Sequence, residues 1–530
     1  MIIPDFICRK SHVLHNHLCF RLHGIRMICI LFLKTKITEA RITQVNDFVG
    51  IRNDFTDKDY LCKSLIKTMT DEKTICAVST PAGTGGVAMI RISGTDAIDI
   101  AGKFFNAKKK FADIPARHAA FGRFTDLQGK EVDECLFTPF KAPHSFTGEN
   151  MVEICCHGSA YIQKHIVECL IDGGCRPALP GEFTKRAFLN GKMDLTQAEA
   201  VADLIASDSA AANSLALTQL RGGVSNELLA LRGKLLDFTS LIELELDFSE
   251  EDVEFADRKR LSALADEIEE KIDKLCSSFS TGNAIKNGIP VAIVGETNAG
   301  KSTLLNLLVG EERAIVTDIH GTTRDLIEDT AQIGGFLFRF IDTAGIRQTE
   351  DIVENIGIKR SYAAMEKAAV IVWLIDCTSV NEHIEWMASR IIPRTEGKKL
   401  LLAFNKMDKI DDEEKNILDN LFSDIDAPRV YISAKHKQNL EVFEQMLLDA
   451  AGVRNLGTDS VLLSNARHYE ALSSALVAIR KVKTGLSDRL SGELLSLDLH
   501  DCLDAIGSVT GEISSQEILN TIFDRFCIGK

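Results

Sequence analysis

Proline is scarce in this chain, with ten in 530 residues, and none falls between Pro180 and Pro290 or after Asn465. Those two stretches can therefore run as long uninterrupted helices. Long apolar runs are missing too. The best candidate, "MICILFL" (27–33), is far short of the roughly 18 residues that a membrane-spanning helix needs. The first residues also lack the ordered basic region, long apolar run and small-residue cleavage site of a secretory leader. The fourteen cysteines show no framework spacing, so they read as reduced thiols of a cytoplasmic protein with no membrane partner. Positive charge is in deficit: the net charge of −15 excludes indiscriminate binding of nucleic acid, and a polyanion such as tRNA would have to be met by a local patch.

What is present divides the chain. A length of 530 residues suggests three or so domains. Residues 1–68 carry a net +5 against −20 for the remainder. Cys8, His12, His15, His17, Cys19 and His23 lie there, but their spacing fits no paired-ligand zinc pattern. The segment reads as an extension, not native or disordered, with the natural domain start at Met69. From 69 to 187, short apolar runs such as "GGVAMIRIS" and "MVEICC" alternate with glycine and proline, which predicts an α+β domain. Residues 188–288 and 455–530 keep apolar residues at helical spacing in "LTQAEAVADLIASDSAAANSLALTQL" and "NARHYEALSSALVAIRKV". Between them, 289–454 is strand-rich. The expected architecture is one all-α domain interrupted by an inserted α/β domain.

The insert carries five nucleotide elements in order. "PVAIVGETNAGKST" (290–303) is an apolar strand followed by a phosphate loop that offers Asn298, Ala299, Gly300, Lys301, Ser302 and Thr303. Its backbone N–H groups wrap phosphates, Lys301 reaches the outer ones, and Ser302 ligates Mg²⁺. "GTTRD" (321–325) supplies Thr323 as the second Mg²⁺ ligand. "FLFRFIDTAG" (336–345) ends in Asp342, Thr343, Ala344 and Gly345, placed to sense the γ-phosphate. "LLLAFNKMD" (400–408) ends in Asn405, Lys406 and Asp408, whose carboxylate can accept two hydrogen bonds from guanine that adenine cannot offer. "VYISAK" (430–435) ends in Ser433, Ala434 and Lys435 and offers a backbone N–H to the guanine oxygen. Together they predict a P-loop, Ras-like, Mg²⁺-dependent GTPase. The position that carries a water-orienting glutamine in many small GTPases is Ile346 here, so either hydrolysis is very slow or another group does that work. The acidic residues of "RQTEDIVENIG", Glu350, Asp351 and Glu354, are the candidates.

From Met69 to Lys530 the chain resembles the tRNA-modification GTPases known as MnmE or TrmE. The likeness rests on the domain order and on "PGEFTKRAFLNGKMDLTQAEAVADLI", "LDFSEEDVEF", "NAGKSTLLN", "GTTRD", "DTAGIR" and the terminal "CIGK". It implies a folate-binding-like, dimerising N-terminal domain ahead of the split helical domain. It implies a K⁺ ion held by Asn298, Thr317, Ile319 and Thr322, in a nucleotide loop that also contains Asp318, His320 and Gly321. Such a fixed cation would stabilise developing charge as an arginine finger does. It places the water-positioning glutamate at Glu354. It implies a tetrahydrofolate derivative, 5,10-methylene or 5-formyl, at Arg91, Glu153, Lys192 and Lys530. A serine, Ser159, stands where relatives often have the second glycine of a His-Gly-Gly.

The resemblance also bears on how to read "CIGK", for which a spare, disordered terminus is one alternative. As a prenylation box it is poor, since Gly529 is not aliphatic and Lys530 is an unusual last residue. As a family tail it makes Cys527 a required thiol near the folate site. The implied activity is that of a homodimer that joins an FAD-dependent partner of the MnmG (GidA) type in a heterotetramer. The pair would add an aminomethyl or carboxymethylaminomethyl group to carbon 5 of the wobble uridine of certain tRNAs, with FAD carried by the partner. A ribosome-assembly or regulatory GTPase is the alternative, but it would call for an appended basic RNA-binding module. A stand-alone folate-dependent methyltransferase leaves the inserted GTPase unexplained.

Overall fold

The computed structural model describes residues 73–247, 258–296, 298–310, 329–341, 362–379, 382–453, 461–512, 516–524 and 526–529. The basic, cysteine- and histidine-rich segment 1–68 lies outside them.

A seven-stranded sheet comes first. Its strands are β1 (Ile75–Val78), β2 (Val87–Ser93), β3 (Phe105–Asn106), β4 (Ala120–Thr125), β5 (Glu131–Phe140), β6 (Met151–His157) and β7 (Arg176–Pro177). They lie in the order β3-β4-β5-β6-β2-β1-β7. Alternation sorts the two faces. Ile90, Ile92, Val152, Ile154 and Phe137 point to a buried face covered by the helices Ala97–Phe104 and Ala160–Asp172. Phe104 stacks on Phe124 there at 5.2 Å. The opposite face carries Arg91, Glu153 and Cys155, and near β1 it is covered by Phe183 of the Glu182–Leu189 helix.

The second sheet is β8 (Ile289–Val294), β9 (Asp329–Ile333), β10 (Phe336–Phe340), β11 (Val370–Asp376), β12 (Lys399–Asn405) and β13 (Arg429–Ile432). Its order is β13-β12-β11-β8-β10-β9, and all neighbours are parallel except the β9–β10 hairpin. The central strand β11, "VIVWLID", is buried at every residue. That is the pattern of a parallel strand covered on both faces, and it explains why this segment shows no polar alternation.

Four long helices form a bundle, Gly223–Asp247 and Arg258–Ser277 from before the second sheet, Ala466–Ser487 and Gly492–Thr510 from after it. Their apolar stripes, such as Leu228, Leu231, Leu235, Phe238 and Ile242, meet in one core. The Leu195–Ala206 helix crosses its flank. Asp194 starts that helix with a capping box, accepting the Gln197 N–H at 2.9 Å while the Gln197 side chain accepts the Asp194 N–H at 3.0 Å.

One buried carboxylate fastens this flank to the bundle. Glu199 takes two hydrogen bonds from the Arg467 guanidinium, at 2.9 and 3.0 Å, and one from His468 Nε2 at 2.6 Å. Arg467 also donates to the carbonyls of Ser508 and Val509, at 2.7 and 3.0 Å, closing the end of the Gly492–Thr510 helix. Burial alone would push the Glu199 carboxyl up, but His468 and Arg467 outweigh it and hold it at about 2. Its ionised form therefore contributes stability above its ordinary value of 4.5, and the contribution is lost as pH falls from 4.5 towards 2. Replacing Glu199 by alanine takes the carboxylate from the buried His468 and the half-buried Arg467. The urea midpoint of the helical signal in circular dichroism should fall by the equivalent of about 3–5 kcal/mol. An unchanged midpoint would show that the clamp adds nothing.

Candidate functional site

The carboxyl ends of β8, β11, β12 and β13 open on one edge of the second sheet, where an open α/β sheet binds ligands. β8 runs into the phosphate loop, and Lys301 begins the Lys301–Gly310 helix, which also carries Ser302 and Thr303. The helix N-terminus presents N–H groups and a positive dipole to an anion. The Lys301 ammonium donates to the carbonyls of Gly295 and Glu296, both at 2.6 Å, within the loop itself. Burial pushes Lys301 down to about 8 despite the neighbouring Glu296. One buried oxygen of the Glu296 carboxylate has no hydrogen-bond partner. A buried ammonium and an unsatisfied buried carboxylate oxygen together fit a loop built to receive phosphates and their cations.

The expected guanine side is tied to this loop by one amide. Asn405, at the end of β12, is 3% exposed. Its Nδ2 donates to the Ala299 carbonyl at 2.7 Å, and its Oδ1 accepts the Ala434 N–H at 3.0 Å. Gly300 makes the approach possible: at φ 94°, a Cβ there would lie 2.3 Å from Asn405 Nδ2. Asp408 accepts the Ser433 hydroxyl at 2.6 Å, which holds its carboxyl below the ordinary range, and His436 stands 3.6 Å away. Lys406 pairs with Asp376 at the end of β11. Burial raises Asp376, but Lys406 and Thr378 outweigh it and keep it ionised. Asn298 and Lys435 are exposed beside these groups. Thr317, Asp318, Ile319, His320, Gly321, Thr322, Thr323, Asp342, Thr343, Ala344, Gly345 and Glu354 lie outside the described residues, so most of the expected K⁺ cage lies there too.

The expected folate residues sit on the first sheet. Arg91 and Glu153 face each other across β2 and β6, with Arg91 Nε donating to Glu153 Oε1 at 2.9 Å. The Phe146 ring lies 5.8 Å from the Arg91 guanidinium. Lys192 Nζ donates to the Pro143 carbonyl at 3.1 Å, on the loop that carries Phe146. The tail comes to the same sheet. The Gly529 carbonyl accepts the Ser79 hydroxyl at 3.0 Å, and Gly181 N–H points to the Cys527 carbonyl at 3.4 Å. Gly529 has φ 92°, and a Cβ there would sit 2.2 Å from the Val78 carbonyl, so only glycine fits against the end of β1. Phe526 is buried with Phe188, Leu195 and Phe523, while Cys527 is exposed. Lys530 lies outside the described residues. These four tail residues are thus docked at 526–529 and do not hang as a free arm.

A family model described as the MnmE helical domain matches residues 195–527, and one described as the GTP-binding protein TrmE N-terminus matches residues 74–192. The chain belongs to the MnmE family. The tRNA modification GTPase MnmE of Bacteroides thetaiotaomicron is 51% identical over 467 residues, 87% of this chain and 100% of that relative. MnmE of Flavobacterium johnsoniae is 48% identical over 467 residues, with 87% and 100% covered. Among solved structures, Era in complex with MgGDPNP and a 16S ribosomal RNA fragment is 30% identical over 36% of this chain and 65% of that chain, with a TM-score of 0.25. At that score the likeness to Era carries no weight.

For a member of the MnmE family, three groups stand out that motif reading passes over. Asp376 fixes Lys406, Glu199 clamps Arg467, and Ser79 holds the tail. Only Asp376 leaves a local trace, as the single charge ending an apolar strand. The Lys301 geometry makes a pH prediction. Below pH 8 the ammonium is charged before phosphate arrives. Above it, the free protein must take up a proton on binding, so affinity for GDP should weaken by up to about tenfold per pH unit. Fluorescence titration with a labelled GDP from pH 6.5 to 9.5 reads this. A flat profile would show that Lys301 keeps its ordinary value.

Proposed function

We propose that this chain binds GTP at the edge formed by β8, β12 and β13, hydrolyses it with Mg²⁺ and K⁺, and uses the cycle to drive modification of tRNA. The observation that carries the reading is the Asn405 amide, which joins the phosphate loop to the strand end that carries Ser433 and Ala434. It sets the distance between phosphate and base subsites, so a guanine nucleotide is bound as one rigid unit. Asp408 selects guanine, and its fixed ionised oxygen accepts the ring N–H groups. Lys301 leaves the Gly295 and Glu296 carbonyls for the outer phosphates. Ser302 and Thr323 would hold Mg²⁺; Asn298, Thr317, Ile319 and Thr322 would hold K⁺. The two cations, when bound, neutralise charge that develops between the β- and γ-phosphates. Glu354 orients the attacking water, the role that Ile346 cannot fill.

Arg91, Glu153, Lys192 and Lys530 bind a tetrahydrofolate derivative, the one-carbon donor. Support comes from the cross-strand pairing of Arg91 with Glu153 beside the Phe146 ring and from the docking of the tail at the end of β1. The guanidinium retains an open edge for carboxylates, and Glu153 offers acceptors to pterin N–H groups. Two copies meet over the same face. Phe121, Leu136, Cys155 and Met89 form a continuous row across β4, β5, β6 and β2. Val87, Phe121 and Leu136 are 44–67% exposed, an apolar surface that a second copy would cover. With an FAD-dependent partner of the MnmG type, the dimer adds an aminomethyl or carboxymethylaminomethyl group to carbon 5 of the wobble uridine, and Cys527 is required in that step.

Reconstitution tests this. The purified chain, the partner, unmodified tRNA, methylene-tetrahydrofolate, glycine and FAD with NADH are combined with GTP in potassium or sodium salt. Hydrolysis should be at least about tenfold faster in potassium, and the modified nucleoside should form only where GTP turns over. Equal hydrolysis in both salts would remove the K⁺ role. Rapid hydrolysis with no modified nucleoside would remove the tRNA role.

A further inference from the structure

The β9–β10 hairpin joins the two segments expected to sense the γ-phosphate. β9 begins six residues after Thr323, and β10 ends two residues before Asp342. The turn of the hairpin points away from the nucleotide edge and docks on the flank of the helical domain. There the Gly335 carbonyl accepts the Ala211 N–H at 3.0 Å, and the Gln332 side chain donates to the Asp208 carbonyl. Residues 208–211 are the turn into the Ala210–Leu220 helix, which Ser209 caps by accepting the Ala212 N–H at 3.1 Å.

That turn directly continues the Leu195–Ala206 helix, which reaches the tail. At its far end, Leu195 and Ala198 pack in the cluster that holds Phe523 and Phe526. In between, Glu199 is clamped by Arg467, and Asp203 pairs with Lys286 at 2.7 Å. A helix is itself a rigid element, so displacement at one end, carried with these partners, appears at the other. The seam between hairpin and helix also has room to move. A cavity of about 240 Å³ lies against it, lined by Asp203, Asp208, Lys286, Leu337 and Ser464 among others. Packed interfaces switch between discrete arrangements and do not deform continuously, so a small shift at this seam is passed on as a step, and the cavity gives it space.

We propose that the β9–β10 hairpin and the Leu195–Ala206 helix form the strut that transmits nucleotide state to the docked tail. Ala211 and Gln332 are then positioning residues that act on the Phe526–Gly529 segment through this helix. The proposal rests on the GTPase reading and adds to it how the two distant sites communicate.

Cys527, exposed and next to Phe526, reports on the tail. Its alkylation rate with iodoacetamide is measured on the full-length protein by peptide mass spectrometry, with GDP and with a non-hydrolysable GTP analogue in potassium salt. The intact protein should show at least about a fivefold difference between nucleotides. Ala211→Pro removes the N–H given to Gly335, at a first-turn position where proline is tolerated. Gln332→Ala removes the other contact without touching a helix, and it keeps the test valid if the proline variant does not fold. Each should shrink the difference towards one while GTP hydrolysis stays within about twofold of the intact protein, since neither residue reaches nucleotide. A difference that survives in Gln332→Ala and Ala211→Pro would overturn the strut. So would an intact protein that hydrolyses GTP yet shows equal alkylation in both states. Failure of the intact protein to hydrolyse GTP would instead overturn the reading beneath it.

Discussion

The carboxylate of Glu199 holds together parts of the chain that lie 268 residues apart. The helical domain is written in two pieces, and a folded GTPase stands between them. Hydrophobic stripes bring the four bundle helices together, but apolar packing is tolerant of sliding. An ionised carboxylate that receives a two-pronged guanidinium and an imidazole sets the register of the flank helix against the bundle. Because Arg467 also caps the helix that leads to residues 516–529, the same clamp fixes the base of the tail. The flank helix held by this contact, with the turn that continues it, is the element against which the hairpin and the last residues each dock through their own contacts.

The nucleotide edge repeats the device on a smaller scale. A single buried amide at Asn405 spans two loops from different strands, and a missing side chain at Gly300 lets it through. The buried ammonium of Lys301 is paired with loop carbonyls in the same edge. The Asn405 amide is fully engaged with backbone, so the spacing of the two loops is set before any ligand arrives. Preorganisation of this kind is what a phosphoryl-transfer site requires, because its chemistry is mostly positioning and charge.

Sequence reading reaches the parts of this account that are local. A phosphate loop is a strand, a glycine-rich turn and a helix in one short stretch, and the guanine strand ends are recognisable one at a time. The proline-free stretches announce long helices. Contacts between distant segments leave no such trace. Asn405 meets Ala299 across 106 residues, and Gly529 meets Ser79 across 450. Arg91 and Glu153 were selected only through the family resemblance. Their cross-strand pairing depends on sheet register, which neither spacing nor composition encodes. The docked tail was likewise illegible, because it depends on a glycine whose Cβ would strike the end of β1.

In the proposed function, guanine-nucleotide turnover at one sheet is coupled to chemistry at another, and the most direct measurement asks whether both are needed for a single product. Bulk tRNA would be taken from a strain lacking this chain and complemented with the intact protein, with Lys301→Ala or with Cys527→Ser, and its nucleosides quantified by mass spectrometry. The account predicts that the modification at carbon 5 of the wobble uridine returns with the intact protein and with neither variant, although Cys527→Ser still hydrolyses GTP. Full modification with Lys301→Ala, at normal protein levels, would contradict it.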